Sequence, residues 1–401
     1  MRFDRAGRSK VEEMVDSKEL LALCRDMIRI PSVYSKESKL SDFIAETLRR
    51  WGLPAGQIEV PGAGPDVVSH QGPRDSSLIV LNGHMDTVEV MAGWKHDPYE
   101  ASVEKGRLYG LGSLDMKCGL GCLMIAYRIL SESGLLKRTK LSFQAVASEE
   151  FNGAGTMRLI KMGGFRGARY VIVGEGFGGH KAVTIGRRGG SYYDFEVTGK
   201  AAHGALPHLG VNAVSDAARV IEAIDGMKLR KASGLMGDDF RPLGESQTVL
   251  SISGGTDSLS VPENCRFKVV RGTIPGGTKD FAGEYRRMIS RLGLRSRVKV
   301  SLRKGPTEWY HPFLTPPQSP LVKACTRWLR HYSGSTPTLV CGVSEADDNL
   351  VARYTRVPVV CMGPGEWGKK ARYHQSEESI SVAQLERFVK TYCMTVLDLG
   401  Q

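Results

Sequence analysis

The chain has 401 residues, of which 41% are hydrophobic and 24% are charged, and its formal net charge is +12. These proportions are those of an ordinary globular protein, so they exclude a collagen, a coiled coil and a wholly disordered chain. At roughly 100–200 residues per domain, the length predicts two or three domains.

The sequence lacks the patterns of membrane insertion and export. No apolar run reaches the roughly 18 residues of a spanning helix, and the charged first 20 residues contain no apolar core of a secretory signal. The eight cysteines form no C-x-x-C pair. Such cysteines are typical of free, buried thiols, so we expect a cytoplasmic protein that binds no membrane.

The excess of positive charge raises nucleic acid as one possible partner. The basic residues are dispersed, however, and cluster only in short pairs such as Arg187–Arg188 and Arg286–Arg287. An RNA-recognition aromatic pattern, zinc-finger spacing and a long basic helix are all absent from the sequence. We therefore expect no nucleic-acid partner, and a basic exterior or an anionic small substrate accounts for the charge.

The first part of the chain alternates helices with short apolar strands. An amphipathic helix pair, broken at Pro31, precedes buried strands and a helix that follows a glycine-rich turn. The predicted elements are the helix pair over 18–50, strands over 77–82, 141–147 and 170–173, and a helix over 118–133. This alternation indicates an α/β domain with a mostly parallel sheet.

The pattern changes after Gly186 to the order β-α-β-β-α-β, which is typical of a ferredoxin-like unit. Its predicted elements are strands over 191–197, 247–252, 265–271 and 297–302, and helices over 211–224 and 280–292. The α/β pattern then returns, with helices over 319–332 and 382–397 and strands over 337–341 and 357–362. We therefore expect a larger α/β domain in two parts, 1–187 and 304–401, with an inserted domain at 188–303.

Acidic and histidine residues follow several predicted strands, at the sheet edge where open α/β sheets bind ligands. His84 follows the strand over 77–82 and offers an imidazole nitrogen to a metal. Asp86, two residues later, can accept the other ring N–H and fix the tautomer. Asp115 lies in a glycine-rich turn before a buried helix, where it either caps the helix or bridges two cations.

The remaining candidates repeat this arrangement. Glu149 and Glu150 end an apolar strand, so one can bind a metal while the other reaches a bound water; an exposed acidic turn is the alternative. Glu175 follows the next strand between two glycines, and His374 follows a Gly-Pro-Gly turn. Two histidines with carboxylates and no thiol suit zinc, cobalt or manganese. Five ligands that share one carboxylate predict two divalent metal ions per chain.

Six motifs occur together over nearly the whole chain. They are GHMDTV (83–88), GRLYGLGSLDMKCGL (106–120), SEEFNGAGT (148–156), VGEG (173–176), GKAAHGALPHLGVNA (199–213) and GPG with YHQSEE (363–378). In this order and spacing the chain resembles the zinc-dependent acetylornithine deacetylase and succinyl-diaminopimelate desuccinylase family, which includes glutamate carboxypeptidases, aminoacylases and dipeptidases. The resemblance implies a di-zinc exopeptidase-like catalytic domain with an inserted dimerisation and lid domain.

The resemblance also implies a role for each candidate residue. One zinc would be held by His84, Asp115 and Glu175, and the other by Asp115, Glu150 and His374. Glu149 would be the general base, taking a proton from the bridging water and delivering it to the leaving nitrogen. Asp86 would orient His84.

Two residues are implied as substrate-binding groups. His203 would reach a neighbouring subunit's active site and bind the oxyanion, which implies a homodimer. Arg188 would contact substrate or serve the joint between the domains, and the sequence leaves both open.

The chain departs from the family pattern in the predicted inserted domain. Relatives often carry an Arg, which holds the substrate carboxylate, where this chain has Gly272, and an Asn where it has Leu259. Arg271 is one residue away, so in a strand it points to the opposite face. Either another basic residue serves, or the substrate is not a typical N-acyl amino acid.

These observations favour a metal-dependent hydrolase that cleaves the amide bond of an N-acyl amino acid or a small peptide-like substrate. The alternative is a non-catalytic or altered-specificity relative that binds an amide ligand in the same pocket. The complete metal and base set favours the enzyme, and the replaced residues at 259 and 272 favour the alternative.

Overall fold

The computed structural model describes residues 5–73, 76–277, 281–303 and 310–400. The helices in chain order are α1 (Arg5–Glu13), α2 (Ser17–Ile28), α3 (Ser38–Arg50), α4 (Lys117–Glu132), α5 (Ala154–Met162), α6 (Ala213–Asp225), α7 (Phe281–Ile289), α8 (Pro320–Ser333), α9 (Asp347–Thr355) and α10 (Val382–Leu399). Each helix in these ranges is too short or too polar to span a bilayer.

The strands vary in length from two to ten residues. In chain order they are β1 (Gly56–Ile58), β2 (Asp66–Gln71), β3 (Ser77–His84), β4 (Val103–Glu104), β5 (Arg107–Tyr109), β6 (Thr139–Val146), β7 (Ala168–Val173), β8 (Ala182–Arg187), β9 (Gly189–Thr198), β10 (Lys231–Met236), β11 (Pro242–Gly244), β12 (Ser246–Gly254), β13 (Asn264–Thr273), β14 (Arg297–Leu302), β15 (Phe313–Leu314), β16 (Thr338–Gly342), β17 (Val359–Cys361) and β18 (Ser379–Ser381).

The large sheet has the order β1-β2-β6-β3-β7-β17-β8-β15, and β16 also pairs with β8. The central pairs β6–β3, β3–β7 and β7–β17 are parallel, whereas the pairs at the β1 edge are antiparallel. β3 reads Ser-Leu-Ile-Val-Leu-Asn-Gly-His and is buried nearly throughout, as a parallel strand covered on both faces must be. The predicted α/β class with a parallel sheet centre is therefore confirmed.

Helices cover both faces of this sheet. On one face α2, α4 and α10 enclose the largest apolar cluster, which includes Leu20, Leu123 and Tyr392. On the other face Val80 and Val351 belong to a smaller cluster. α4 packs unusually close to the end of β7, because a Cβ on Gly119 would lie 2.2 Å from the carbonyl oxygen of Gly174. This approach brings the residues before α4 next to those after β7.

A separate antiparallel sheet, called the small sheet below, has the order β12-β13-β9-β14. Along the chain, its strands and the helices α6 and α7 follow the predicted order β-α-β-β-α-β. Its inward side chains, such as Phe195 and Phe267, alternate along the strands and form their own core with α6 and α7. Residue 280, the predicted start of α7, and residue 304, the predicted domain boundary, lie outside the described residues. The domain boundaries remain a prediction.

The sequence did not predict the hairpin β10–β11, which lies between α6 and β12. The turn of this hairpin contacts the large sheet, since Gly237 pairs with Cys341 and Asp238 donates its N–H to the Cys341 carbonyl over 2.9 Å. The hairpin thus connects the region of the small sheet to the edge of the large one. A three-stranded sheet, β18-β5-β4, pairs the chain that follows His374 with the chain that precedes Asp115.

Candidate metal centre and active site

Two loops of the site meet because β3 and β6 are parallel neighbours. His84 ends β3 and is in register with Val146 of β6, so the loops after both strands leave the same sheet edge. The fully buried Asp86 carboxylate accepts the backbone N–H of Glu149 over 3.1 Å and that of Glu150 over 2.9 Å. One carboxylate therefore holds both loops together.

Asp86 also contacts the imidazole of His84. The nearer partner of His84 Nδ1 is the backbone carbonyl of Asp86, at 3.0 Å, while the carboxylate Oδ1 lies 3.6 Å away. With Nδ1 protonated towards these oxygens, Nε2 is the nitrogen available to a metal. The predicted orienting contact is thus made by both the main chain and the side chain of Asp86.

Asp115 lies between two histidines in the turn before α4. Its Oδ1 is 3.1 Å from Nε2 of His84, and its Oδ2 is 3.4 Å from Nε2 of His374. Each carboxylate oxygen therefore faces a different imidazole. This is the arrangement expected of a carboxylate that is shared between two metal ions.

His374 and Glu150 complete one group of possible ligands. Nε2 of His374 is 3.1 Å from Oε1 of Glu150, and the ligand atoms of Asp115, Glu150 and His374 lie within 4.8 Å of one another. These are the three residues expected to hold the second zinc. Although His374 is half exposed, its two carboxylate neighbours are nearly buried.

The second compact group differs from the expected set of His84, Asp115 and Glu175. Among the described residues, a second set of ligand atoms within 4.8 Å of one another belongs to His84, Glu149 and Glu150. Glu175 is buried at the end of β7, where its Oε2 lies 3.6 Å from Nη2 of Arg187. Its role as a ligand remains a prediction.

Burial gives the acidic groups of the centre abnormal pKa values. Burial raises the pKa of Glu149 well above its usual range, and raises that of Glu175 to about 8 although the Arg187 guanidinium opposes the shift. Hydrogen bonds to the carboxylates of Asp115 and Glu150 raise the pKa of His374 to about 11. A buried carboxylate is costly without a compensating cation.

The donor set fits divalent metal ions. Carboxylate oxygens and imidazole nitrogens converge, no thiol lies among them, and divalent cations would compensate the buried negative charge. His84, Asp115, Glu149, Glu150 and His374 are the described residues whose ligand atoms form these compact groups, and Glu175 lies beside them.

Three buried residues near the centre were not assigned a role from the sequence: Arg187, Asp347 and Asp348. Asp348 Oδ1 is 2.7 Å from Nε of Arg187, so Asp348 holds the arginine that faces Glu175. The Asp347 carboxylate accepts the hydroxyl of Thr156 over 2.5 Å. These two acids follow β16, and the pattern of an apolar strand followed by acids could have identified them.

The two predicted substrate-binding residues have their described contacts outside the metal centre. Arg188 donates from Nε to the carbonyl of Val343 over 2.7 Å and from Nη1 to that of Gly244 over 3.1 Å. It therefore joins the large sheet to the β10–β11 hairpin. His203 is exposed in the region of the small sheet, where Nδ1 accepts the N–H of Ala205. Substrate contact by either residue remains a prediction.

Arg271 does not take the place of the arginine that relatives often carry where this chain has Gly272. Its side chain is only 1% exposed and pairs with Glu245 over 3.0 Å inside the region of the small sheet. A Cβ on Gly272 would lie 2.4 Å from the hydroxyl oxygen of Ser246, so Ser246 occupies the space beside it. Leu259, by contrast, is 73% exposed.

Comparison with known proteins identifies the family of this chain. The profile of peptidase family M20/M25/M40 matches residues 80–398. A succinyl-diaminopimelate desuccinylase of Methylobacterium radiotolerans is 27% identical over 386 residues, covering 93% of this chain and 94% of that protein. An N-formyl-4-amino-5-aminomethyl-2-methylpyrimidine deformylase of Bacillus subtilis is 25% identical, covering 96% and 94% of the two chains.

A solved structure has the same fold. A dinuclear metal-binding peptidase of the M20 family from Bacillus subtilis superimposes with a TM-score of 0.66 at 14% identity, covering 95% of this chain and 98% of that one. The family match spans more than half of the chain and includes every predicted metal ligand. The chain therefore belongs to peptidase family M20/M25/M40 and is a hydrolase that acts on amide bonds.

Proposed function

We propose that this chain is a two-metal hydrolase that removes an acyl group from the nitrogen of an amino acid or a small peptide-like compound. The observation that carries the proposal is the position of Asp115, whose two oxygens face the imidazoles of His84 and His374. The proposed ligands are His84, Asp115, Glu150, Glu175 and His374. When bound, divalent ions supply Lewis-acid polarisation of the amide carbonyl and lower the pKa of water.

Glu149 is the proposed general base. Its carboxylate takes the proton that the attacking water loses and passes it to the leaving nitrogen. Two observations support this role: the Asp86 carboxylate anchors the Glu149 backbone, and a carboxylate oxygen of Glu149 lies within 4.8 Å of candidate ligand atoms of His84 and Glu150.

The names of the relatives support an acyl group on an amine nitrogen. One relative is named for removing succinyl and another for removing formyl from an aminomethylpyrimidine, which is not an amino acid. Arg271 is buried against Glu245, so its guanidinium does not hold a substrate carboxylate near Gly272. The proposed substrate therefore needs no carboxylate there. Zinc is the proposed metal, with cobalt and manganese as alternatives.

We also propose that residues 188–303 form an inserted domain that pairs two chains, with His203 completing the partner's active site. Support comes from the exposed position of His203 and from β12, an edge strand that exposes Leu250 and Ile252. Light scattering that finds a monomer with full activity would contradict this. The eight free, buried thiols support a cytoplasmic location.

A substrate panel tests the proposed function. It contains N-acetyl, N-succinyl, N-formyl and N-carbamoyl compounds and dipeptides, each with and without a free carboxylate. We expect hydrolysis of at least one acyl series by the wild type and by the control Glu100→Gln, which changes an acid of an exposed loop. We expect its loss in Glu149→Gln. A wild-type protein that binds panel members but hydrolyses none would contradict the proposal and favour the ligand-binding alternative.

A further inference from the structure

Glu378 is a fully buried acid at which two loops of the metal centre meet. It lies four residues after His374, and its side chain is turned towards the glycine-rich turn that carries Asp115. Oε1 of Glu378 accepts the N–H of Leu114 over 2.6 Å and that of Asp115 over 3.1 Å. Oε2 accepts the N–H of Gly112 over 3.1 Å.

The main chain of Glu378 adds a fourth bond to the same turn. Its carbonyl accepts the N–H of Gly110 over 3.1 Å, where β5 ends and the turn begins. Three converging N–H donors match a carboxylate, which accepts hydrogen bonds through both oxygens and donates none. A neutral amide cannot replace it, because its NH₂ group would face an N–H donor.

The hydrogen bonds to Glu378 act on Asp115, which faces the imidazoles of both His84 and His374. The Asp115 N–H is bonded directly, so the position of the Asp115 backbone depends on Glu378. The segment that supplies Glu378 also supplies His374, whose Nε2 lies 3.4 Å from Oδ2 of Asp115. Glu378 therefore sets the distance between two candidate ligands that lie more than 250 residues apart in the sequence.

We propose that Glu378 is a positioning residue that fixes Asp115 relative to His374 and thereby sets the affinity of the centre for divalent metal. This inference rests on the metal-binding role proposed above. Residues that orient metal ligands typically contribute about 10–100-fold to metal affinity or activity. Glu378 touches no substrate in this scheme and acts only through the ligands.

The neighbouring residue offers a matched control. The carboxylate of Glu377 accepts the N–H of Lys95 over 2.6 Å and that of His96 over 3.1 Å, and it pairs with Nδ1 of His96 over 2.8 Å. Glu377 thus also fixes a loop through backbone N–H groups, but that loop carries no candidate ligand. A general effect of losing an acid in this segment would appear equally in Glu377→Gln.

The experiment measures zinc and cobalt affinity by calorimetry against a competing chelator, on metal-free wild type, Glu378→Gln, Glu378→Asp and Glu377→Gln. We expect about 10–100-fold weaker binding in Glu378→Gln, a smaller loss in Glu378→Asp, which keeps the charge, and wild-type affinity in Glu377→Gln. The visible spectrum of bound cobalt should change in the Glu378 variants alone. If Glu378→Gln fails to fold by circular dichroism, Glu378→Asp carries the same test.

The outcomes separate the two claims. Wild-type affinity and an unchanged cobalt spectrum in a folded Glu378 variant would overturn the positioning role while leaving the proposed function intact. Equal losses in the Glu377 and Glu378 variants would also overturn it. A wild-type protein that takes up neither metal would overturn the proposed function itself, together with this inference.

Discussion

The carboxylate of Asp86 accepts the backbone N–H of Glu150 over 2.9 Å, and its other oxygen accepts that of Glu149. The same residue contacts the imidazole of His84 through its carbonyl. Asp86 therefore positions a candidate ligand on each of two loops as well as the proposed base.

We predict that Asp86→Asn lowers activity by about 10–100-fold, because an amide has only one acceptor oxygen for two N–H donors. The matched control is Asp97→Asn, since the exposed loop residue Asp97 also accepts a backbone N–H, that of Tyr99. Steady-state kinetics and metal content of both variants check this. Equal activity in the two variants would contradict the positioning role of Asp86.

The adjacent acids Glu149 and Glu150 should fail in different ways. Glu149→Gln removes the proposed base and should lower kcat by about 100–10,000-fold with metal content nearly unchanged. Glu150→Gln removes a carboxylate that faces His374, so this variant should have a lower metal content than the wild type. Elemental analysis alongside turnover distinguishes them. The same metal content and the same residual activity in both variants would show that this division of roles is wrong.

Burial of Asp66 predicts a pH dependence of stability. Burial raises the pKa of this carboxyl from 3.8 to about 8, against the N–H of Ala147 that it accepts. The folded state therefore retains a proton that the unfolded state releases, so this contribution to stability is present below about pH 4 and is lost as the pH rises towards 8.

Asp66→Asn should remove that dependence, because an amide of the same shape does not titrate. We expect the free energy of unfolding of the metal-free variant to exceed that of the metal-free wild type increasingly from pH 4 to 8, measured by urea denaturation. A constant difference across this range would contradict the raised pKa.

The region beside Gly272 predicts weak selection for a substrate carboxylate. We expect a preference of less than about a thousandfold in kcat/KM for an N-acyl amino acid over its neutral amide, which corresponds to about 4 kcal/mol. Gly272→Arg combined with Ser246→Gly should raise activity on the acidic substrate, since the second change clears the space that a Cβ would enter. The single variant Ser246→Gly is the control, and a thousandfold or greater preference in the wild type would contradict this.

Much of the fold was predictable because apolar runs and turn residues are local signals. The buried strands β3, β6 and β7 and the helix α4 lie close to their predicted ranges. The short helices α5 and α9 and the hairpin β10–β11 were missed. Their form depends on contacts with distant segments, as where Gly237 of the hairpin pairs with Cys341.

In the candidate site, too, local patterns were predictable and contacts between distant residues were not. Strand-end acids and histidines were visible in the sequence, and the structure brings His84, Asp115, Glu150 and His374 together. The sequence did not reveal that Arg187 faces Glu175, that Arg271 is paired with Glu245, or that Glu378 binds the Asp115 turn. Each of these depends on which way a side chain points after the chain has folded.

The most direct test of the two-metal hydrolase is a titration of metal-free protein with zinc or cobalt, following metal uptake and turnover of the best panel substrate together. We expect no turnover without metal and a rise that levels off at about two equivalents per chain. Full turnover by protein that elemental analysis finds free of metal, or the absence of metal uptake, would contradict it.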